Sequence, residues 1–466
     1  KHYFMKLSMR LLFLAIVFIF GITMSCNKSE SFVEQTALMT SQQNDIYHEW
    51  VNVFLELDRY ASFYRPGPAQ RALAYMGLSA YEACLGGMPD YQSLQYRLGI
   101  KSMPAVKNNL YWPEVINASY AYLMRKFFET VTFKDKSGNV ISNESFMNII
   151  SDKELELKVE FQKTAVEPMI NNSESHGREV AAAIWSYSTS DPVGHNGHLN
   201  PFPVPVNAVG CEWVPTDPGV ATRGLYSQWG KVRRFALTST DLDALATPFD
   251  CSSDVNSQIY AQAYETYVLT NEARKNLKGD LEHQAEFWSD DRVGWTFSPP
   301  GRMMAIADQI VVKENFDLEK TCVLYAQLGM AENDAAVNAW YNKYKFNIER
   351  PITYIQRNID PKFTIPWLGF TPPFPAYPSG HSTFAFAGMG ILESFVGGAY
   401  PFTDFCHQQR TDFLGAPRSF NSLRDLANEN AFSRLPLGVH YRMDYDGGNF
   451  CGILCARKVM QLPWKR

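Results

Sequence analysis

From residue 44 onward, apolar positions recur at intervals of three and four. In NDIYHEWVNVFLELDRYASFY, Ile46, Trp50, Val53, Phe54 and Leu57 fall on one face of a 3.6-residue repeat, with Asn44 or Asp45 as N-cap. The same period recurs in AQRALAYMGLSAYEACL, VINASYAYLMRKFFETV, REVAAAIWSYS, SQIYAQAYETYVLTNEARK and CVLYAQLGMAENDAAVNAWYNKY. Alternating, strand-like runs are rare, so the pattern predicts an all-α protein. One stretch breaks it. Between Ser190 and Arg234, proline, glycine, asparagine and valine dominate and no element is legible. A loop of that length is functional or a domain join. A soft boundary is therefore expected near residue 230, with one helical domain over 44–230 and a second over 231–466.

The start of the chain reads differently. Lys6 and Arg10 precede an apolar run from Leu11 to Ile22, and small or polar residues lead to Cys26. That run is shorter than the roughly 20 residues a bilayer span needs, and its order matches a secretory signal peptide starting at Met5 or Met9. ITMSC is similar to a bacterial lipoprotein processing site, although Thr23 and Met24 depart from its tightest form. Residues 1–26 are thus expected to be a signal peptide ending in a lipidated Cys26, and 27–43 a flexible tether. The protein would be exported and anchored at the periplasmic face or cell surface, touching membrane only through that lipid. The plainer alternative is an ordinary signal peptide with an incidental cysteine. No later segment is long and apolar enough to cross a membrane.

Composition adds modest limits. The chain has 466 residues, 46% of them hydrophobic, enough for a large core. A net charge of −5 and the lack of a Lys/Arg run predict no nucleic-acid partner. Beyond Cys26, Cys84, Cys211, Cys251, Cys322, Cys406, Cys451 and Cys455 are scattered, odd in number and without a CxxC pair. Neither a zinc site nor a disulfide framework is expected; export allows one disulfide but selects no partners. Cys451 and Cys455, four apart on one helix, read as packing residues.

Three strings carry candidate chemistry. WYNKYKFNIERP contains Lys343 and Arg350-Pro351; FPAYPSGHSTFAFAGMGILESF contains Ser379, Gly380 and His381; SRLPLGVHYRMD contains Arg434, His440 and Asp444. Each has a bland reading: a solvated helix face for Lys343 and Arg350, an N-cap for Ser379, a hydrogen-bonded structural histidine for His440. Together they supply what a tetrahedral oxyanion needs. Three cations, two with planar forks, face its oxygens. A hydroxyl and a glycine N–H stand at a helix start. His440 offers one ring nitrogen to the central atom, Asp444 one turn later fixes the other, and His381 remains as an acid/base.

The order and spacing of the three strings resemble the signature of the vanadium-dependent haloperoxidase and type 2 phosphatidic acid phosphatase (PAP2) superfamily. FPAYPSGH, SR..LGVH.R.D and Trp340 are most similar to the soluble vanadium chloroperoxidases. FWSDDRVGWTFSPPGR resembles a stretch of those enzymes in which an aspartate, here Asp291, supports a motif arginine. The resemblance covers roughly His283 to Cys455. It implies a helical bundle of that type over 231–466, with 44–230 as an additional N-terminal helical region that inherits no function. It implies vanadate as cofactor, bound through His440 as the vanadium ligand, with Lys343, Arg350, Ser379, Gly380 and Arg434 around its oxygens. His381, His440, Asp444 and Asp291 would serve catalysis, and Trp340 and Phe374 would line the peroxide and halide pocket. Hydrogen peroxide, halide and an organic acceptor would be the partners. The main alternative is an acid phosphatase that attacks a phosphate ester through His440, with His381 protonating the leaving group. A second is a non-catalytic oxyanion-binding lipoprotein.

Overall fold

The structure, a computed structural model, describes residues 39–40, 45–199, 201, 210–216, 224–290, 292–366, 369–412 and 414–466. The signal-like run, Cys26, most of the expected tether, Asn44 and Asp291 lie outside the described residues.

Helices dominate, as the apolar period predicts. Those of eight or more residues are α1 (Asp45–Tyr60), α2 (Gly67–Cys84), α3 (Trp112–Phe128), α4 (Asn143–Phe161), α5 (Glu167–Thr189), α6 (Gln258–Lys275), α7 (Asp280–Phe287), α8 (Pro299–Lys313), α9 (Leu318–Phe346), α10 (Pro351–Asn358), α11 (Gly380–Val396), α12 (Leu423–Phe432) and α13 (Arg442–Met460). Every helix singled out by periodicity is present. The weakly patterned α4 buries only Phe146, Ile150 and Glu154, which is why its sequence gave little signal. Strands are short. An antiparallel sheet joins β1 (Ala61–Ser62), β2 (Thr132–Lys134) and β3 (Val140–Ile141), and a ladder pairs β4 (Phe402–Asp404) with β5 (Arg418–Phe420).

Helix α9 is the axis of the molecule. Asp317 caps it through the Lys320 N–H, and its residues from Thr321 to Trp340 are buried without a break. A helix buried all round must be wrapped by partners on every side. Helix α2 packs along it so closely that a Cβ on Gly329 would stand 2.8 Å from the Leu73 carbonyl oxygen, a distance only glycine tolerates. Helices α11 and α13 cover another side. Trp50 and Tyr75 from before residue 230 share one core with Trp340 and Phe386 from after it.

The disulfide pairing that the sequence left open is Cys211–Cys251, with Cα atoms 6.2 Å apart. Sequence separation carries no information on such proximity. Cys451 and Cys455 are buried on α13, as packing residues. No described helix is long and apolar enough to cross a membrane.

Candidate functional site

The three strings converge where α9, α11 and α13 meet. Lys343 and Trp340 lie in the last turns of α9, which ends at Asn347 in the left-handed conformation. Arg350 follows three residues later as the N-cap residue of α10, with Pro351 starting the helix. Ser379 caps α11 and accepts from the Ser382 N–H at 3.4 Å, so the capping reading holds alongside any ligand role. Gly438, at φ 86°, turns the chain after α12 and delivers His440 to the start of α13. Helix α13 approaches α11 through Gly448, where a Cβ would stand 2.7 Å from the Ser379 carbonyl oxygen.

No side chain of the set is more than 5% exposed. The solvated-face reading of Lys343 and Arg350 therefore fails: both are fully buried. Lys343 Nζ donates to the carbonyls of Pro375 (2.9 Å), Ala376 (3.0 Å) and Pro378 (2.6 Å). Arg350 Nε donates to Phe374 O at 3.0 Å, and Nη1 to Val439 O at 2.9 Å. Arg350 Nη1 also lies 3.1 Å from His440 Nε2, and Arg434 Nη1 donates to Trp288 O at 2.8 Å. These carbonyls accept hydrogen bonds without cancelling charge.

His440 is fixed from both ends. Its Nδ1 lies 2.7 Å from Asp444 Oδ2, which also accepts the Tyr441 N–H at 3.0 Å. Since Arg350 can only donate, Nε2 is the acceptor and the ring proton sits on Nδ1, facing Asp444. Burial, then Arg350, Lys343 and Arg434, hold His440 well below the usual histidine range. Burial and then Arg434 do the same to His381, against a hydrogen bond to the Trp288 carbonyl. Both imidazoles are therefore neutral at neutral pH. Burial pushes the Asp444 carboxyl up to about 7, while its donors and Lys343 pull it down.

An aromatic wall closes one side. Trp340 and Phe374 meet edge to face with centroids 4.9 Å apart, and Lys343 Nζ lies 5.0 Å from the Phe374 ring centre. They border a narrow cavity with Gly380, His381, Arg434 and His440. The same cavity is lined by Pro66, from the N-terminal helical region, and by Pro299. Pro66 carries no sequence signal for this place, whereas Pro299 stands in the FWSDDRVGWTFSPPGR stretch.

A family model described as the VCPO second helical-bundle domain matches residues 323–463. The three motif strings fall inside that match, in keeping with the superfamily resemblance they carry. A curated member, the vanadium chloroperoxidase of Curvularia inaequalis, is 27% identical over an alignment that covers 34% of this chain and 36% of that enzyme. The match thus spans about a third of the relative's length. The likeness of fold extends further than the alignable sequence. The crystal structure of a bacterial vanadium-dependent iodoperoxidase superposes with TM-score 0.77, covering 90% of this chain and 96% of that one at 23% identity. A holo-type bacterial vanadium-dependent chloroperoxidase gives 0.62 over 90% and 98%, at 14% identity.

Asp291, expected to support a motif arginine, lies outside the described residues. Next to it, sequence reasoning missed a second buried charge cluster. Asp290 pairs with Arg302 of α8, whose Nη1 also meets Asp404 of β4 at 3.0 Å. Asp290 and Arg302 both lie in FWSDDRVGWTFSPPGR, but Asp404 joins them from 102 residues away, which no local spacing announces.

Proposed function

We propose that this protein is a vanadium-dependent haloperoxidase, which oxidises halide with hydrogen peroxide at a vanadate held by His440. The observation that carries the reading is the neutral His440 Nε2 set among three buried cations. The donor set fits vanadate. A lone pair on Nε2 suits the metal, while Lys343, Arg350 and Arg434, the Ser379 hydroxyl and the Gly380 N–H suit its oxygens. When bound, vanadate supplies a Lewis acid that activates peroxide toward halide. Asp444 keeps the His440 ring oriented by holding its Nδ1 proton. His381, neutral in the resting site, accepts a proton on its ring as peroxide enters. Trp340 and Phe374 exclude water and present an uncharged, polarisable face to the halide.

The alternative reading, a phosphatase, draws on the same observation. A neutral imidazole whose Nδ1–H is held by a carboxylate is also a competent nucleophile toward phosphorus. The test is direct. The protein is purified without phosphate, then assayed for dye bromination with peroxide and for aryl phosphate hydrolysis, each with and without vanadate. Bromination that requires vanadate is expected, and hydrolysis should fall as vanadate is added. Vigorous hydrolysis with no bromination at saturating vanadate would replace this reading with the phosphatase. Binding of vanadate with neither activity would leave the non-catalytic oxyanion binder. Export and lipidation at Cys26 are likewise proposed from the N-terminal pattern; mass spectrometry finding an unmodified cysteine there, or cleavage elsewhere, removes the anchor.

A further inference from the structure

Arg302 does not line the oxyanion cavity. It lies in the first turn of α8, fully buried, in a cluster that engages all three nitrogens of its guanidinium. Nε and Nη2 fork onto Asp290 at 3.0 and 2.8 Å, and Nη1 reaches Asp404 at 3.0 Å. Nη2 also donates to the Phe287 carbonyl at 2.6 Å and contacts His407 Nε2. Its plane is stacked among Phe287, Trp288 and Phe297, each ring centre within 5.2 Å of Cζ. Asp404 is in turn held by the Gln309 side chain and the Cys406 N–H.

What this cluster grips is a short piece of backbone. Phe287 O and the Asp290 side chain bracket Trp288, whose indole N–H is fixed separately by Glu429 at 3.0 Å. The carbonyl in the middle, Trp288 O, points into the candidate site. It accepts Arg434 Nη1 at 2.8 Å and a ring N–H of His381. One carbonyl thus sets both a cradle cation and the acid/base histidine.

We infer that Arg302 and Asp404 are positioning residues: by clamping residues 287–290 they aim the Trp288 carbonyl, and through it the guanidinium of Arg434 and the ring of His381. The inference rests on the oxyanion-site reading of the preceding subsection. Its physical basis is that a guanidinium with several carbonyl acceptors takes the geometry its partners impose, and a forked, fully buried partner network is the stiffest such support. A site residue misplaced by about 1 Å loses much of its effect even when its chemistry is intact.

The test is a double-mutant cycle in the full-length protein, read by calorimetric titration with inorganic phosphate and, separately, vanadate. Asp404→Asn keeps the shape of the side chain and weakens one ion pair of Arg302. In the native background it is expected to lower anion affinity about tenfold, with circular dichroism unchanged. In an Arg434→Ala background the same substitution is expected to change affinity less than twofold, because the group it acts through is gone. Should Asp404→Asn not fold, Gln309→Leu loosens Asp404 from outside the cluster and should give a smaller, about threefold, loss with the same background dependence. Equal losses in both backgrounds would mean a general structural role and overturn the inference. No loss in either background would also overturn it. If the native protein binds neither anion, the oxyanion-site reading fails, and this inference falls with it; native binding with additive losses sinks the inference alone.

Discussion

Two buried arginine centres lie side by side in this fold, joined by the backbone of Trp288, and they are solved in opposite ways. At Arg302 the guanidinium forks onto Asp290 and reaches Asp404, and these carboxylates drive its pKa far upward against burial. There the cation meets carboxylates directly. Around His440, the hydrogen bonds of Lys343 and Arg350 go largely to backbone carbonyls, which orient a cation without neutralising it. Burial first, and then nearby cations, hold both histidines below their usual range: Arg350, Lys343 and Arg434 at His440, and Arg434, Arg302 and Lys343 at His381. A cation paired with carboxylates holds a fold together. A centre that keeps its charge is built to be completed by an anion.

The comparison can be broken most forcefully at its ion-paired end. Arg302→Met strands two buried carboxylates and should cost about 3–5 kcal/mol of stability. Lys343→Met removes a buried charge from a positive cluster, so it should cost clearly less while abolishing anion binding. Denaturant unfolding and phosphate titration of both variants test this; similar stability losses would erase the distinction between the two centres. Next in size is the separation of the two histidines. His440→Ala should weaken vanadate retention on the order of 100-fold, whereas His381→Ala should retain most binding and lose turnover. Equal loss of binding in both would show that the roles are wrongly divided.

A third measurement reads the field itself. Burial, and then Arg434, Arg302 and Lys343, depress His381 below its ordinary value, and it also faces His440. A bound dianion offsets those cations and raises that pKa, and that of Asp444 further, so binding must take up protons. By linkage, affinity is then highest below the free-state values and falls as pH rises from them toward the bound-state values, a fall that for Asp444 begins near pH 7. Sulfate suits the test because it does not itself titrate there. Binding heats that do not change between buffers of different ionisation enthalpy would refute the coupling. The smallest effect is expected at Ser379. Ser379→Ala removes a long 3.4 Å cap and should cost about 1 kcal/mol of stability. If Ser379 also faces the anion, its affinity falls several-fold as well; an unchanged affinity would return this residue to capping alone.

Much of this molecule was legible in the chain. The 3.6-residue period marked the major helices because each buries an apolar stripe, and burial imprints that spacing locally. The three strings marked residues that the fold brings together because each holds its residues within a few positions, as with His440 and Asp444 one turn apart on the entry to α13. What lay beyond reach were matters of approach. Nothing in the sequence says that Cys211 meets Cys251, that Pro66 lines the cavity, or that Arg302 finds Asp404 across 102 residues of chain. Nor does it say whether Lys343 is solvated or sealed. Those outcomes depend on which helix faces are brought together around α9, as at Gly329, where backbone packs on backbone. Chemistry carried by neighbouring residues is written locally. Burial, charge balance and the aim of a carbonyl are properties of the packed whole, and only the tertiary structure decided them.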